Sequence, residues 1–542
     1  MKSRFAKFAA VALAAALALS ACSGSGDGEK KSAEGGASGS KIVTVNATEP
    51  QNPLVPSLTN EVGGGRVLNM INSGLVYYKA DGSSEMDLAE SIEPNADNTV
   101  FTIKLKADLK FSDGSPITAK NFVNAWNYTA NPKNAQPQGY FLEDVKGYTA
   151  DENADVPELE GLKVVDDQTF TVELSKSVAD FPLRLGYSAF APLPDSAFDD
   201  IKAYGEAPLA SGPYMLAENG WEHNVSIKVV KNPEYTGPRE AKNDGIDFKI
   251  YTQLDAAYND LLSGNLDVLD AVPDSAFQTY EADLGDRAIN QAAAIFQSFT
   301  IDVNAPHFGM DEEGKLRRAA LSMAIDREEI TKTIFQGTRT PATDFTSPVI
   351  DGYTDSLTGN EVLKFNPEKA KEYWAKADAI KPWDGEFSIA YNSDGGHQAW
   401  VDAVTNQLKN NLGIEAIGKP YPDFKSVRDD ITNHVLMSGF RTGWQADYPG
   451  LFNFLGPIYA TGAPSNDGQY SNPEFDQLLA DGNAAKDVAE ANKSFVKAQE
   501  ILLQDLPAIP LWYANVNGGY GESVQNVQFG WDSQPIYYLI EK

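Results

Sequence analysis

Between Phe101 and Phe111 apolar and polar residues alternate without a break, with Phe101, Ile103, Leu105, Ala107, Leu109 and Phe111 set against Thr102, Lys104, Lys106, Asp108 and Lys110. Period two predicts a strand with one buried and one wetted face. Ser112-Asp113-Gly114 then turns the chain, and Thr118 caps a predicted helix whose Phe122, Val123 and Trp126 fall on one side. A hairpin is predicted from Leu162 to Leu174, where Val164 and Val165 lead into a turn at Asp166-Asp167-Gln168 and Phe170, Val172 and Leu174 return. Lys315 to Phe335 reads as two consecutive helices. Leu316, Ala319, Ala320 and Met323 stripe the first, and Asp326 caps the second with Glu329 three residues on, a capping-box spacing that favours a structural over a catalytic aspartate. Phe495, Ala498, Leu502 and Leu506 recur at helical spacing until Pro507 stops them. Strand and helix signals alternate along the body, no internal repeat is evident, and the pattern is that of an α/β protein.

The chain opens differently. Lys2, Arg4 and Lys7 precede an apolar run from Phe8 to Leu19 that is too short for a membrane span, which needs about 20 residues, and so reads as a cleaved export signal. The run closes on Leu19-Ser20-Ala21-Cys22, which resembles the lipobox of bacterial lipoproteins. That resemblance implies a diacylglycerol thioether on Cys22, cleavage just before it, and anchorage on the outer face of the cell membrane. The alternative is an ordinary secreted protein with a cysteine near its cleavage site. Residues 1–21 are thus expected to be signal peptide and 22–40 a tether, because Ser23 to Ser40 carries no aromatic or branched aliphatic residue. Its r.m.s. reach is about 25 Å.

Composition narrows the function classes. About 500 residues follow the tether, too many for one core and enough for two or three lobes. Hydrophobic residues make up 42% and aromatic residues 11%, as a folded protein needs, and with a single cysteine no intramolecular disulfide can form. Forty-four basic residues against 76 acidic ones give a formal charge of −32, which makes nucleic acid a poor partner. The usual signatures of an enzyme are missing: no His-Glu-x-x-His helix, no phosphate-binding Gly-x-x-x-x-Gly-Lys-Ser/Thr loop, no Gly-x-Gly-x-x-Gly after a strand, no Gly-x-Ser-x-Gly elbow. His223, His307, His397 and His434 are scattered and read as surface or structural histidines. No metal, cofactor or catalytic residue is implied, although so many acids leave a glycosidase-like carboxylate pair open.

Six stretches, in order, resemble the extracellular solute-binding proteins of family 5, the receptors of peptide-type ABC importers. They are Phe111 to Trp126, Ser211-Gly212-Pro213-Tyr214, Asn232-Pro233-Glu234-Tyr235, Gly264-Asn265-Leu266-Asp267, Arg317 to Arg327 and Gly443 to Pro449. Their wording is most similar to the oligopeptide-binding branch, including actinobacterial members. The resemblance implies a two-lobed periplasmic-binding-protein-like fold with a hinge and an extra inserted domain. Carried over, lobe I takes 41–75, 207–294 and 515–542, the extra domain 76–206, and lobe III 295–514. Asp113-Gly114, Gly212-Pro213-Tyr214 and Pro233 are expected to be scaffold.

The resemblance places ligand contacts in RTGWQADYP, from Arg441 to Pro449. The aspartate matching Asp447 accepts a peptide's α-ammonium in oligopeptide receptors, a charge-assisted contact suited to a closed cleft, and a structural salt bridge is the alternative. Trp444 is then a wall or merely core, Arg441 meets a ligand carboxylate or a structural acid, Glu61 is an acidic cleft position by spacing alone, and Tyr513 is a further candidate. Ligand backbone would run like an added strand. Pro449-Gly450-Leu451 departs from the family's usual continuation and leaves ligand length open. The implied function is a monomeric lipoprotein, not an enzyme, that takes up oligopeptides and passes them to an ABC permease with its ATPase subunits. The same module for an oligosaccharide, haem or a chelated metal, an extracytoplasmic hydrolase, and a signalling or adhesion lipoprotein remain rival readings.

Overall fold

The alternating run forms a strand only as far as Leu105, because Asp108 takes a left-handed conformation (φ 57°) and turns the chain. Leu109 and Phe111 stay buried beyond that turn, which keeps the period-two pattern in the sequence after the strand has ended. The computed structural model describes residues 41–542 apart from 60, 423 and 464, and Cys22 and the tether lie outside the described residues.

Strand Val100–Leu105 sits in a four-stranded antiparallel sheet with Ala89–Pro94 on one side and Thr169–Glu173 then Leu162–Asp166 on the other. Helix Ala119–Ala130 covers it. Asn121 accepts from the amide of Thr118 at 2.8 Å, fixing the helix start. Phe122 stacks on Phe170 (5.7 Å between centroids), and Trp126 donates its Nε1–H to the carbonyl of Phe190 at 3.0 Å. These rings form one core, joined by Phe101, Ile103 and Phe181.

Among the described residues a second, eleven-stranded sheet runs through the rest of the body. Its centre is a pair of long antiparallel strands, Ala288–Ile301 and Ala508–Tyr520. Toward one edge lie Gly439–Gln445, Phe387–Asn392 and Ala416–Tyr421, and toward the other Val268–Leu269, Ile42–Ala47, Gly245–Ile250, Ser226–Lys231 and Tyr214–Glu222. The central pair does not hold one register. Ala288–Ala292 pair with Asn515–Gly519, Phe296 restarts opposite Tyr513, and the pairing is interrupted between them. Separate hydrophobic cores lie on the two sides of this break, one around Phe299, Trp400, Phe454 and Trp512, the other around Val45, Leu68, Phe248 and Ile540.

The stretches expected to be scaffold are scaffold. Gly114 (φ 85°) closes the turn in which Asp113 accepts from the amide of Ser115 at 2.9 Å. A Cβ on Gly212 would meet the carbonyl of Met70 at 2.7 Å, and Asn232 donates to the carbonyl of Gly212 at 2.9 Å. Asp326 caps helix Arg327–Thr333 through the amide of Glu329 at 2.9 Å.

Candidate binding site

The site begins with an unfinished strand. Gly439–Gln445 pairs antiparallel with Ile295–Ile301 along its whole length, but on its other side only Gly439 and Phe440 find partners, Ile389 and Ala390. Among the described residues, Arg441 to Gln445 therefore present one edge of backbone N–H and C=O groups without a neighbouring strand, and Gly443 and Gln445 are exposed there. Thr442 is fixed on the sheet by Ser298 (2.7 Å) and Thr300 (2.9 Å).

Beyond this edge the chain turns into Asp447, and one buried asparagine arranges the corner. Asn453, on helix Leu451–Tyr459, accepts from the amide of Asp447 at 3.0 Å and from Trp444 Nε1–H at 2.9 Å, and donates Nδ2–H to Asp447 Oδ2 at 3.0 Å. No ion pair to Asp447 forms among the described residues. Burial pushes its carboxyl up to about 6, and the hydrogen bond from Asn453 offsets only part of that. A buried carboxylate held by one neutral amide, with no ion-pair partner among the described residues, has acceptor capacity left for a positively charged hydrogen-bond donor.

Asp447 faces a cavity of about 320 Å³ shared with Glu61, Tyr78, Tyr187, Trp531 and Asp532. Glu61 caps helix Val62–Ile71 by accepting from the amide of Gly64 at 2.9 Å, so its carboxylate is partly engaged. Trp444 and Arg441 line a second cavity of about 240 Å³ with Phe296, Phe424, Arg428 and Tyr459. Arg441 lies over the ring of Phe424, 5.7 Å from its centroid, and Arg428 forks onto Asp467 at 2.6 and 3.1 Å. Trp444 is both wall and structure, since its ring lines this cavity while its N–H is tied to Asn453.

Four of the five expected contact residues are thus gathered along one strand end and its two flanking cavities, Asp447 and Glu61 on one and Trp444 and Arg441 on the other. Tyr513 lies outside both. It is buried, donates to Asp344 Oδ1 at 2.6 Å and accepts from the amides of Thr343 and Asp344 at 3.0 Å each, which makes it the pin of that loop. Asn453 and Asp532 were not foreseen. A lone asparagine in the apolar run Leu451-Phe452-Asn453-Phe454-Leu455 is a signal that could have exposed the first, because a polar residue on a buried helix face needs partners.

With this geometry in hand, comparison with known proteins is direct. The family model of the bacterial extracellular solute-binding proteins, family 5, matches residues 84–466, and the chain belongs to that family. It is 26% identical over 493 residues to the oligopeptide-binding protein OppA of Bacillus subtilis, an alignment covering 88% of each chain. Among solved structures it resembles the Haemophilus influenzae OppA complex with RPPGFSPFR, with a TM-score of 0.75, 23% identity and coverage of 93% of this chain and 99% of that one. It also resembles the murein tripeptide binding protein MppA of Escherichia coli, with a TM-score of 0.74, 23% identity and coverage of 92% and 98%. The fold is the two-lobed α/β binding-protein fold with an extra domain, and the family is defined by binding a solute outside the cytoplasm and not by turnover.

Proposed function

We propose that this chain is the peptide-capturing lipoprotein of an ABC importer, held on the membrane through Cys22 and working as a monomer. One observation carries the reading: the open edge from Arg441 to Gln445 runs directly into Asp447, a desolvated carboxylate without a cation. An extended peptide added to that edge would pair through its main chain, which every sequence offers, and would bring its α-ammonium to Asp447. Its side chains would enter the cavities beside Tyr78 and Trp444. Arg441 lines the second cavity, where it would meet a ligand carboxylate or a structural acid.

The lobes proposed are 41–75, 207–294 and 515–542 for lobe I, 76–206 for the extra domain and 295–514 for lobe III. The interrupted register between Ala292 and Phe296 supports a hinge at the first central strand, since the ladder between the two central strands is broken there and Ala294 bonds Trp531 and Ala446 instead. Closure about that hinge would bury the peptide, and the closed form would engage the permease and its ATPase subunits.

The test is calorimetry on the purified full chain with a tripeptide carrying a free or an acetylated amino terminus. Loss of a charge-assisted contact to a buried carboxylate predicts binding about 10 to 100 times weaker for the acetylated form. Equal affinities would remove Asp447 from the role given it, and binding of an oligosaccharide in place of either peptide would overturn the ligand class.

A further inference from the structure

The charges lining the first cavity do not balance. Among the described residues two cationic side chains line it, Lys79 and Arg239, and each is already neutralised: Lys79 by Glu85 at 3.1 Å, and Arg239 by Asp87 at 3.1 Å with further bonds to the carbonyls of Asn69 and Asn72. On the acidic side, Glu61 is engaged as a helix cap, which leaves Asp447 and Asp532. Neither of these has an ion-pair partner among the described residues. Asp532 Oδ1 accepts only the amide of Gln534, at 3.1 Å, and the nearby Arg66 is itself paired with Asp270. Burial raises the Asp532 carboxyl to about 6, as it does at Asp447.

The two carboxylates are neighbours in space although they come from different parts of the chain. Ala294 donates its amide to the carbonyl of Trp531 at 2.7 Å and accepts from the amide of Ala446 at 3.0 Å. Trp531-Asp532 and Ala446-Asp447 are therefore bridged by a single residue. Gln445 closes the arrangement by donating Nε2–H to the carbonyl of Asp532 at 3.3 Å. Two further wall residues carry buried polar atoms without a hydrogen-bond partner among the described residues, Gln534 Oε1 and the hydroxyl of Tyr537, the latter facing the Arg66 guanidinium. Asp532, Gln534 and Tyr537 thus offer three acceptors, and a primary ammonium carries three donors.

We infer that the first cavity is built for a ligand with a second cation beside its terminal ammonium, so that the protein prefers peptides whose first residue is lysine, with the side-chain ammonium on Asp532, Gln534 and Tyr537. The inference rests on the peptide reading above and adds specificity to it. Asp447 takes the α-ammonium common to all peptides, and Asp532 distinguishes among first residues.

Calorimetry on the full chain tests this with alanine tripeptides whose first residue is lysine, norleucine, ε-acetyl-lysine or alanine. Lysine is expected to bind at least ten times more tightly than norleucine, which matches its stem without the charge, and ε-acetyl-lysine is expected to rank with norleucine. In Asp532→Asn the lysine-to-norleucine ratio should fall below about three, with a thermal melt verifying that the variant is folded. A ratio within twofold in the natural protein, or a ratio that survives the substitution, overturns the inference while leaving the peptide reading intact. If none of the four peptides binds, the peptide reading itself fails and the inference falls with it.

Discussion

At the scale of single residues, the site holds its charge at the expense of stability. The Asp447 carboxyl titrates near 6 in the folded protein, against an ordinary value of about 3.9 in an unfolded chain, so the folded state holds that proton more tightly. The sign follows from linkage. Between pH 4 and 6 the folded state binds more protons, and stability falls as pH rises through that window and stays lower above it. Asp447→Asn, which keeps the shape and removes the charge, should stabilise the ligand-free protein at pH 7 by about 1 to 2 kcal/mol. The gain should shrink toward zero as pH falls to about 4. Urea unfolding at pH 7 and 4.5 measures it, and a gain that is absent, or that grows on acidification, would show that burial is not what raises this group. Tyr513 is the opposite case, a titratable residue whose hydroxyl is fully used inside the fold by Asp344 and two amides.

At the scale of elements, the decisive feature is a strand left half paired. An open edge is ordinarily a hazard for association with other chains, and here it is short, five residues from Arg441 to Gln445, and ends in a charged corner. If ligand backbone completes the sheet, methylating the amide of the peptide's second residue should weaken binding about tenfold, the worth of one main-chain hydrogen bond, while leaving the α-ammonium contact in place. Calorimetry with that peptide checks it, and undiminished affinity would mean that the edge is not the docking strand. The elements were legible in the sequence wherever the cause was local. The cap at Asp326, the turn at Asp113-Gly114 and the hairpin Leu162–Asp166 to Thr169–Glu173 each depend on residues within a few positions of one another. The site was legible only in part. Asp447 and Trp444 lie in one recognisable stretch, but nothing in RTGWQ says that this strand lacks a second neighbour, because that depends on where Phe387–Asn392 stops pairing. Asp532 is brought beside Asp447 through Ala294 and Gln445, contacts between segments remote in sequence, and no local pattern encodes them.

At the scale of the whole molecule, the first cavity is where separately cored parts meet. Tyr187 belongs to the segment built on the Phe101, Phe122 and Trp126 core, Asp447 to the segment built on the Phe299 and Trp512 core, and Glu61 and Asp532 to the termini of the chain's first and last stretches. The protein's own ties between these parts include specific polar contacts. Tyr448 donates to Asp180 at 3.1 Å, the Arg184 guanidinium bonds Asp180 and Asp144 and lies over Tyr448 and Phe452, and the amide of Ala179 donates to the carbonyl of Asn483 at 2.9 Å. A ligand seated in the cavity adds contacts to every part at once, so it should couple their unfolding as well as stabilise it. Without ligand, a protein with several cores has no obligation to unfold in one step, and circular dichroism and tryptophan fluorescence should give urea midpoints that differ. A peptide at a hundred times its Kd should raise the stability of the binding-competent state by about 2.7 kcal/mol and bring the two midpoints together. A shift seen by one probe alone would mean that the ligand is held by one part of the molecule, and the shared cavity would then not be the binding site.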